Sequence, residues 1–222
     1  MTKAITNDNA TMDPASLTGI SPLAARLSFV AAAGALVFLA ALHVLSPEFD
    51  PSWRMVSEYA LGDFKWVVTL MFLSWALSCF TLFFAIKSQI HTLGGRIGLF
   101  LLLTAGVGMT MASMFDWTHS LHGLATMLGI PTFPIAALII SVSLSRKPAW
   151  SPARKLLLWT ANLTWITLVW MQVMLFSGLA QTGGEFGPEV LIGWPNRAVI
   201  AAYGAWLMAV AAQAMKLYHR QG

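Results

Sequence analysis

Residues 93–147 read LGGRIGLFLLLTAGVGMTMASMFDWTHSLHGLATMLGIPTFPIAALIISVSLSRK. Two apolar runs, 97–114 and 123–144, flank a short polar break from Phe115 to His122. Arg96 closes one side of the stretch and Arg146-Lys147 the other. Each run is about as long as the ~20 residues a helix needs to cross a hydrocarbon core. A helix satisfies its own backbone polar groups inside lipid, so such runs span as helices. The stretch is a transmembrane hairpin with cations at its open ends and an acid with histidines at its bend.

The same pattern holds along the chain. Further apolar runs centre on 27–45, 66–86, 156–180 and 190–214, making six. The expected fold is therefore all-α, a polytopic membrane bundle of six transmembrane helices. Composition agrees, since 57% of the 222 residues are hydrophobic and only 10% charged, far from a soluble domain of this size.

Cationic loops are retained on the cytoplasmic side of a membrane. Lys3, Arg26, Lys87, Arg96, Arg146, Lys147, Arg154, Lys155, Lys216 and Arg220 fall on one side, with Asp8 and Asp13. Arg54, Lys65 and Arg197 fall on the other, with Glu48, Asp50, Glu58, Asp63, Asp116, Glu185 and Glu189. Both termini are expected in the cytoplasm of a cell whose inner (plasma) membrane holds the chain, with the acidic loops facing outward. The excess of positive charge is thus a topology signal. No Lys/Arg cluster is dense enough to track phosphates, so nucleic acid is not an expected partner.

The expected organisation is a disordered cytoplasmic arm over 1–24, one six-helix transmembrane domain over 25–216 and a cytoplasmic tail over 217–222. Cys79, the single cysteine, lies within the second span and excludes an intrachain disulfide or a multi-cysteine metal site. Loops this short suit a complete bundle or half of a dimer, so the expected partners are membrane lipids and a second copy or another membrane protein.

Ion-coupled carriers place ionisable groups near mid-membrane. The middle of these helices offers Ser, Thr, Asn162, Gln172 and Trp, which disfavours such a carrier. Gly94, Gly98, Ala105, Gly108 and Ala112 recur at near-helical spacing on the third span and predict close backbone approach. Pro131 and Pro134 predict a kink near Gly129, with Thr126 or Thr132 satisfying the freed carbonyls. Trp53, Trp66, Trp117 and Trp194 are expected in an outer interfacial belt, Trp150 and Trp159 in an inner one.

Chemistry-bearing residues gather at the outward end. Asp116, His119 and His122 follow an i, i+3, i+6 spacing that would put them on one helical face. His43 ends the first span nearby, and the four together are a candidate metal site of the nitrogen and oxygen donors that zinc accepts. Asp116 capping the fourth helix, with both histidines in the wet interface, accounts for the same residues structurally.

In the first loop, Pro47 and Pro51 stop the first helix before Ser57-Glu58-Tyr59-Ala60-Leu61-Gly62. Arg54 and Glu58, four apart, are spaced to pair on a short helix. A network of Glu58, Asp63, Asp116, Arg54 and Arg197 would tie three helix ends together. As catalytic groups, Glu58 would be a general base and Ser57 or Arg197 an oxyanion partner.

The order His43, Ser46-Pro47, Ser57-Glu58-Tyr59-Ala60-Leu61-Gly62, then Phe115-Asp116 with a following histidine, resembles the bacterial and archaeal membrane family catalogued as domain of unknown function 998. The resemblance covers roughly 25–215, implies six spans and brings no activity with it. A looser likeness of residue types links the chain to seven-span zinc hydrolases such as alkaline ceramidases, although its last helix has no His-x-x-x-His. The leading expectation is a non-enzymatic membrane protein that binds a lipid, ligand or partner. The alternative is a zinc-dependent intramembrane hydrolase acting on a lipid or lipid-linked substrate at the outer leaflet.

Overall fold

The structure, a computed structural model, describes residues 19–220. Most of the expected N-terminal arm, residues 1–18, lies outside the described residues. The chain forms seven α-helices among the described residues, with no strand: α1 (Pro22–Leu45), α2 (Lys65–Ile86), α3 (Leu93–Met114), α4 (His122–Gly129), α5 (Thr132–Ser145), α6 (Arg154–Gln181) and α7 (Gly193–His219). Because α4 and α5 run on as one span, six helical segments are long and apolar enough to cross a membrane.

Local signals set the boundaries. α1 starts where Ser21 caps it, its hydroxyl accepting from Ala24 N–H at 3.3 Å, with Pro22 in the first turn. The helix thus begins inside the expected arm. α7 continues into the expected tail as far as His219, and residues 221–222 of that tail lie outside the described residues.

Neighbours in sequence pack side by side, and α7 returns to α1, so the helices form a closed ring, with α2 also reaching α7 across the middle. α2 and α7 are accordingly the most buried spans. Lipid offers no hydrophobic drive for helix association, so close packing and polar contacts hold the ring. Ser28 and Ser78 supply one such contact, each hydroxyl donating to the other's carbonyl at 3.1 and 2.9 Å. The small residues of α3 supply another. A Cβ on Gly108 would lie 2.4 Å from Gly129 N and 2.7 Å from Ala125 O, so α3 and α4 touch backbone to backbone. Gly94 has open space around it and takes no part.

The proline pair breaks the fourth span where expected. Pro134 has no N–H to give the Ile130 carbonyl, and Tyr203 Oη on α7 donates to that oxygen at 2.7 Å. Thr132 Oγ1 donates to the Leu128 carbonyl. Beneath the break, Trp75, Phe133, Tyr203 and Trp206 form a buried aromatic layer, with Phe133 and Tyr203 stacked at 4.2 Å. Of the expected interfacial tryptophans, Trp66, Trp117, Trp159 and Trp194 are exposed. Trp150 is not: the 3-10 turn Pro148–Ala153 folds it inward, and it is fully buried.

One end of the bundle carries the loops 46–64, 115–121 and 182–192 and every described acid; the opposite end carries most of the cations. These are the acidic and basic ends below.

Candidate functional site

The first loop folds over the acidic end and is fastened to the start of α7. Gly193 N–H donates to Ser52 O at 3.0 Å, and a Cβ at Gly193 would sit 2.3 Å from Pro51 O, so only glycine admits this contact. Val56 N–H donates to Asn196 Oδ1 at 2.9 Å. Arg197 Nη1 donates to Arg54 O at 2.7 Å and to Gly193 O at 3.0 Å.

Arg197 is the hub. Besides those two carbonyls, its Nη2 donates to Tyr59 Oη at 2.9 Å and its Nε to His43 Nε2 at 2.8 Å. His43 Nδ1 lies 2.8 Å from Leu39 O. A carbonyl only accepts, so Nδ1 carries the proton and Nε2 is the lone-pair nitrogen that receives Arg197. Trp194 stacks on the His43 ring at 6.0 Å. Arg197 is buried, and four of the five N–H groups of a guanidinium are engaged, all by neutral acceptors.

The acids expected around Arg197 are elsewhere. Glu58 is buried in the 3-10 turn Val56–Leu61, where Oε1 accepts from Met55 N–H at 2.8 Å and Oε2 pairs with Arg54 Nη1. That pair is the one expected from the i, i+4 spacing. It is also the one Lys/Arg–carboxylate contact within 4.0 Å among the described residues, so the five-member network is not assembled. Asp63 is exposed. Asp50 is likewise exposed and its Oδ1 accepts from the Ser52 amide at 2.8 Å and hydroxyl at 2.7 Å, which hold the carboxyl below its ordinary range, with the field of Arg197 adding a little.

These contacts explain the Ser57-to-Gly62 stretch residue by residue. Glu58 caps its own turn and holds Arg54, Tyr59 points inward to Arg197, and Gly62 leaves room for the Phe49 ring, which a Cβ would meet at 2.8 Å. Ser57 faces a cavity.

Asp116, His119 and His122 do not share a helical face, because α4 starts only at His122. Asp116 instead closes a turn. Its Oδ1 accepts from the Thr118 hydroxyl and from the Thr118 amide at 2.9 Å, which lowers its pKa, hydroxyl first. His119 stacks on Phe115 at 4.5 Å and its Nδ1 accepts from Leu121 N–H at 3.1 Å. His122 Nδ1 lies 2.9 Å from Phe115 O, which leaves Nε2 as its lone-pair nitrogen. His43 is turned to Arg197. No group of three or more His, Cys, Asp or Glu side chains stands together for an ion among the described residues.

What converges at the acidic end is a cavity of about 220 Å³ inside the ring. Phe72, Trp75, Met109, Met171 and Ile200 form its apolar wall, and Ser57, His122, Thr126, Gln172 and Asn196 its polar points. Asn196 Nδ2 reaches only the Met171 sulfur, at 3.5 Å. Hydrogen bonds among the described residues leave the Ser57 and Thr126 hydroxyls and the Gln172 amide without a protein partner. Sequence reading marked Ser57 and His122 but not Asn196, whose signal was an amide beside an arginine at the start of an apolar span.

Six membrane-crossing segments around an inner cavity define a polytopic helical membrane protein. Residues 29–213 match the family described as "Protein of unknown function (DUF998)", and the chain belongs to that family. No curated protein and no solved structure matches it.

Proposed function

We propose that the chain is a ligand-binding membrane protein whose inner cavity takes a small, mainly apolar molecule with one hydrogen-bonding end. The observation that carries this reading is the convergence of under-used polar groups on one apolar chamber. Ser57, Thr126 and Gln172 come from three separate elements and spend no side-chain bond on the described residues, and such a combination of apolar walls with few polar points is what small-molecule sites use. Size sets a limit: about 220 Å³ suits a compact ring or short chain rather than a whole phospholipid. In the cell the protein lies in the plasma membrane with both termini cytoplasmic, so the chamber opens toward the outward, acidic end. Membrane lipids surround it, and a second copy or another membrane protein completes its environment.

The test is extraction of purified protein into organic solvent, with mass-spectrometric identification of what it carried, beside Ala112→Phe, which sets a ring in the chamber. A small apolar molecule in the wild type, depleted in the equally stable variant, is expected. The same species at the same level in both preparations would sink the reading.

A second reading, zinc-dependent hydrolysis of a lipid or lipid-linked substrate, draws support from Ser57 and the His122 Nε2 lone pair facing one cavity. It would require His43 to give up Arg197 and Glu58 to give up Arg54.

A further inference from the structure

At the basic end, α2 finishes with its C-cap at Lys87 and α3 begins after Thr92, and between them lies a second cleft, of about 390 Å³, separate from the chamber. Lys87, His91 and Arg96 line it at the end of the bundle, and Phe83, Leu99, Phe100 and Leu103 line it further along the helices, with Leu99 buried and Phe100 exposed. Arg96, Leu99, Phe100 and Leu103 follow i, i+3, i+4 and i+7, one face of α3 that runs from a cation down into apolar side chains. Seven residues of helix span about 10 Å, enough to pass from a headgroup to the upper part of an acyl chain.

Charge decides the occupant. Lys87, His91 and Arg96 are exposed, every described acid lies at the opposite end, and none of the three has a carboxylate partner among the described residues. Lys87 Nζ instead sits 4.9 Å from the centre of the Phe84 ring, a cation–π contact that parks the ammonium beside the cleft. Cations at the end of the bundle, with apolar side chains further along, match an amphiphile that is anionic at one end, and basic interfacial pockets between spans take phosphate headgroups.

We propose that the α2–α3 cleft at the basic end is a binding site for an anionic phospholipid. The phosphate lies among Lys87, His91 and Arg96, and one chain follows the Leu99–Leu103 face. The site is independent of the chamber, because it shares no residue with it.

The experiment compares thermal unfolding of the full chain in detergent with added phosphatidylglycerol or phosphatidylcholine, for wild type, Lys87→Gln/Arg96→Gln and Arg146→Gln/Lys155→Gln. The third protein loses the same charge from the same end but outside the cleft. Phosphatidylglycerol should raise the wild-type midpoint more than phosphatidylcholine does. That difference should fall by more than half in the cleft variant and persist in the control. Native mass spectrometry should show retained phosphatidylglycerol adducts following the same order. No preference in the wild type, or equal losses in both variants, would overturn the proposal, the latter by showing a diffuse surface attraction.

Discussion

Arg197 Nε donates to His43 Nε2 across 2.8 Å, joining α7 to α1 over 154 positions of sequence. The bond uses the one unprotonated nitrogen of His43, so His43→Ala leaves an N–H of a buried cation without an acceptor. Such an orphan costs about 1–3 kcal/mol or more for a charged group. His43→Ala should lower the midpoint of thermal unfolding in detergent clearly, and His43→Gln, whose amide oxygen can accept, should lower it less. Identical midpoints for wild type and both variants would show that Arg197 does not depend on this partner.

Gly108 faces the α4 backbone with no room for a methyl group. Gly108→Ala must push α3 from α4, and overpacking of this kind costs roughly 1–3 kcal/mol of folded stability. Gly94→Ala meets nothing within 4 Å in the first turn of α3 and restricts the unfolded chain, which favours folding by about 0.4–1 kcal/mol. Opposite signs in a paired unfolding experiment are expected. A harmless Gly108→Ala would mean that the two helices are not in contact there.

Metal content discriminates between the readings of the histidines. Both ring nitrogens of His43 are occupied, by Leu39 O and by Arg197. Protein purified without a histidine tag, supplied with zinc and washed, should therefore carry the same zinc as its His43→Ala/His119→Ala variant. Near-stoichiometric zinc that disappears in the variant would restore the four-ligand reading of His43, Asp116, His119 and His122.

Asp116 gives the 115–121 loop a pH dependence with a definite sign. Its carboxylate is held by Thr118, and its pKa lies below the ordinary 3.8. A depressed carboxylate adds stability that is complete above its unfolded pKa and is lost as pH falls through the lower, folded value. Amide exchange of Thr118 should thus be unchanged from neutral pH to about pH 5, once corrected for intrinsic rates, and should lose protection only in stronger acid. Asp116→Ala should show the unprotected rate throughout, and a variant that keeps wild-type protection would refute the turn.

The spans, the proline break and the Arg54–Glu58 pair were legible because each rests on local spacing: a run of apolar residues, a missing N–H, two charges four apart. The hub was not. Nothing local tells Arg197 to prefer His43, Tyr59 and the Arg54 carbonyl to the acids of the same end, since that choice follows from how the first loop folds onto α7. Asp116 and His119 misled for a related reason. Their i, i+3 spacing presumes a helix, and the Asp116 side chain spends itself on Thr118 and makes a turn instead. Trp150 resembled an interfacial anchor by position, but it sits in the 3-10 turn Pro148–Ala153 and is fully buried.

The interruption at residues 130–131 divides the fourth span into a long rod and a stub of eight residues, His122–Gly129. Isolated helices of fewer than ~12 residues hold together weakly, since few hydrogen bonds propagate beyond the nucleating turn. The stub borrows its firmness from outside: Gly108 presses on it, Tyr203 anchors the chain just beyond it, and His122 ties its head to Phe115. Two of its residues, His122 and Thr126, line the chamber. The shortest of the α-helices is thus also a wall of the inner space, and a molecule seated against it would work as a splint.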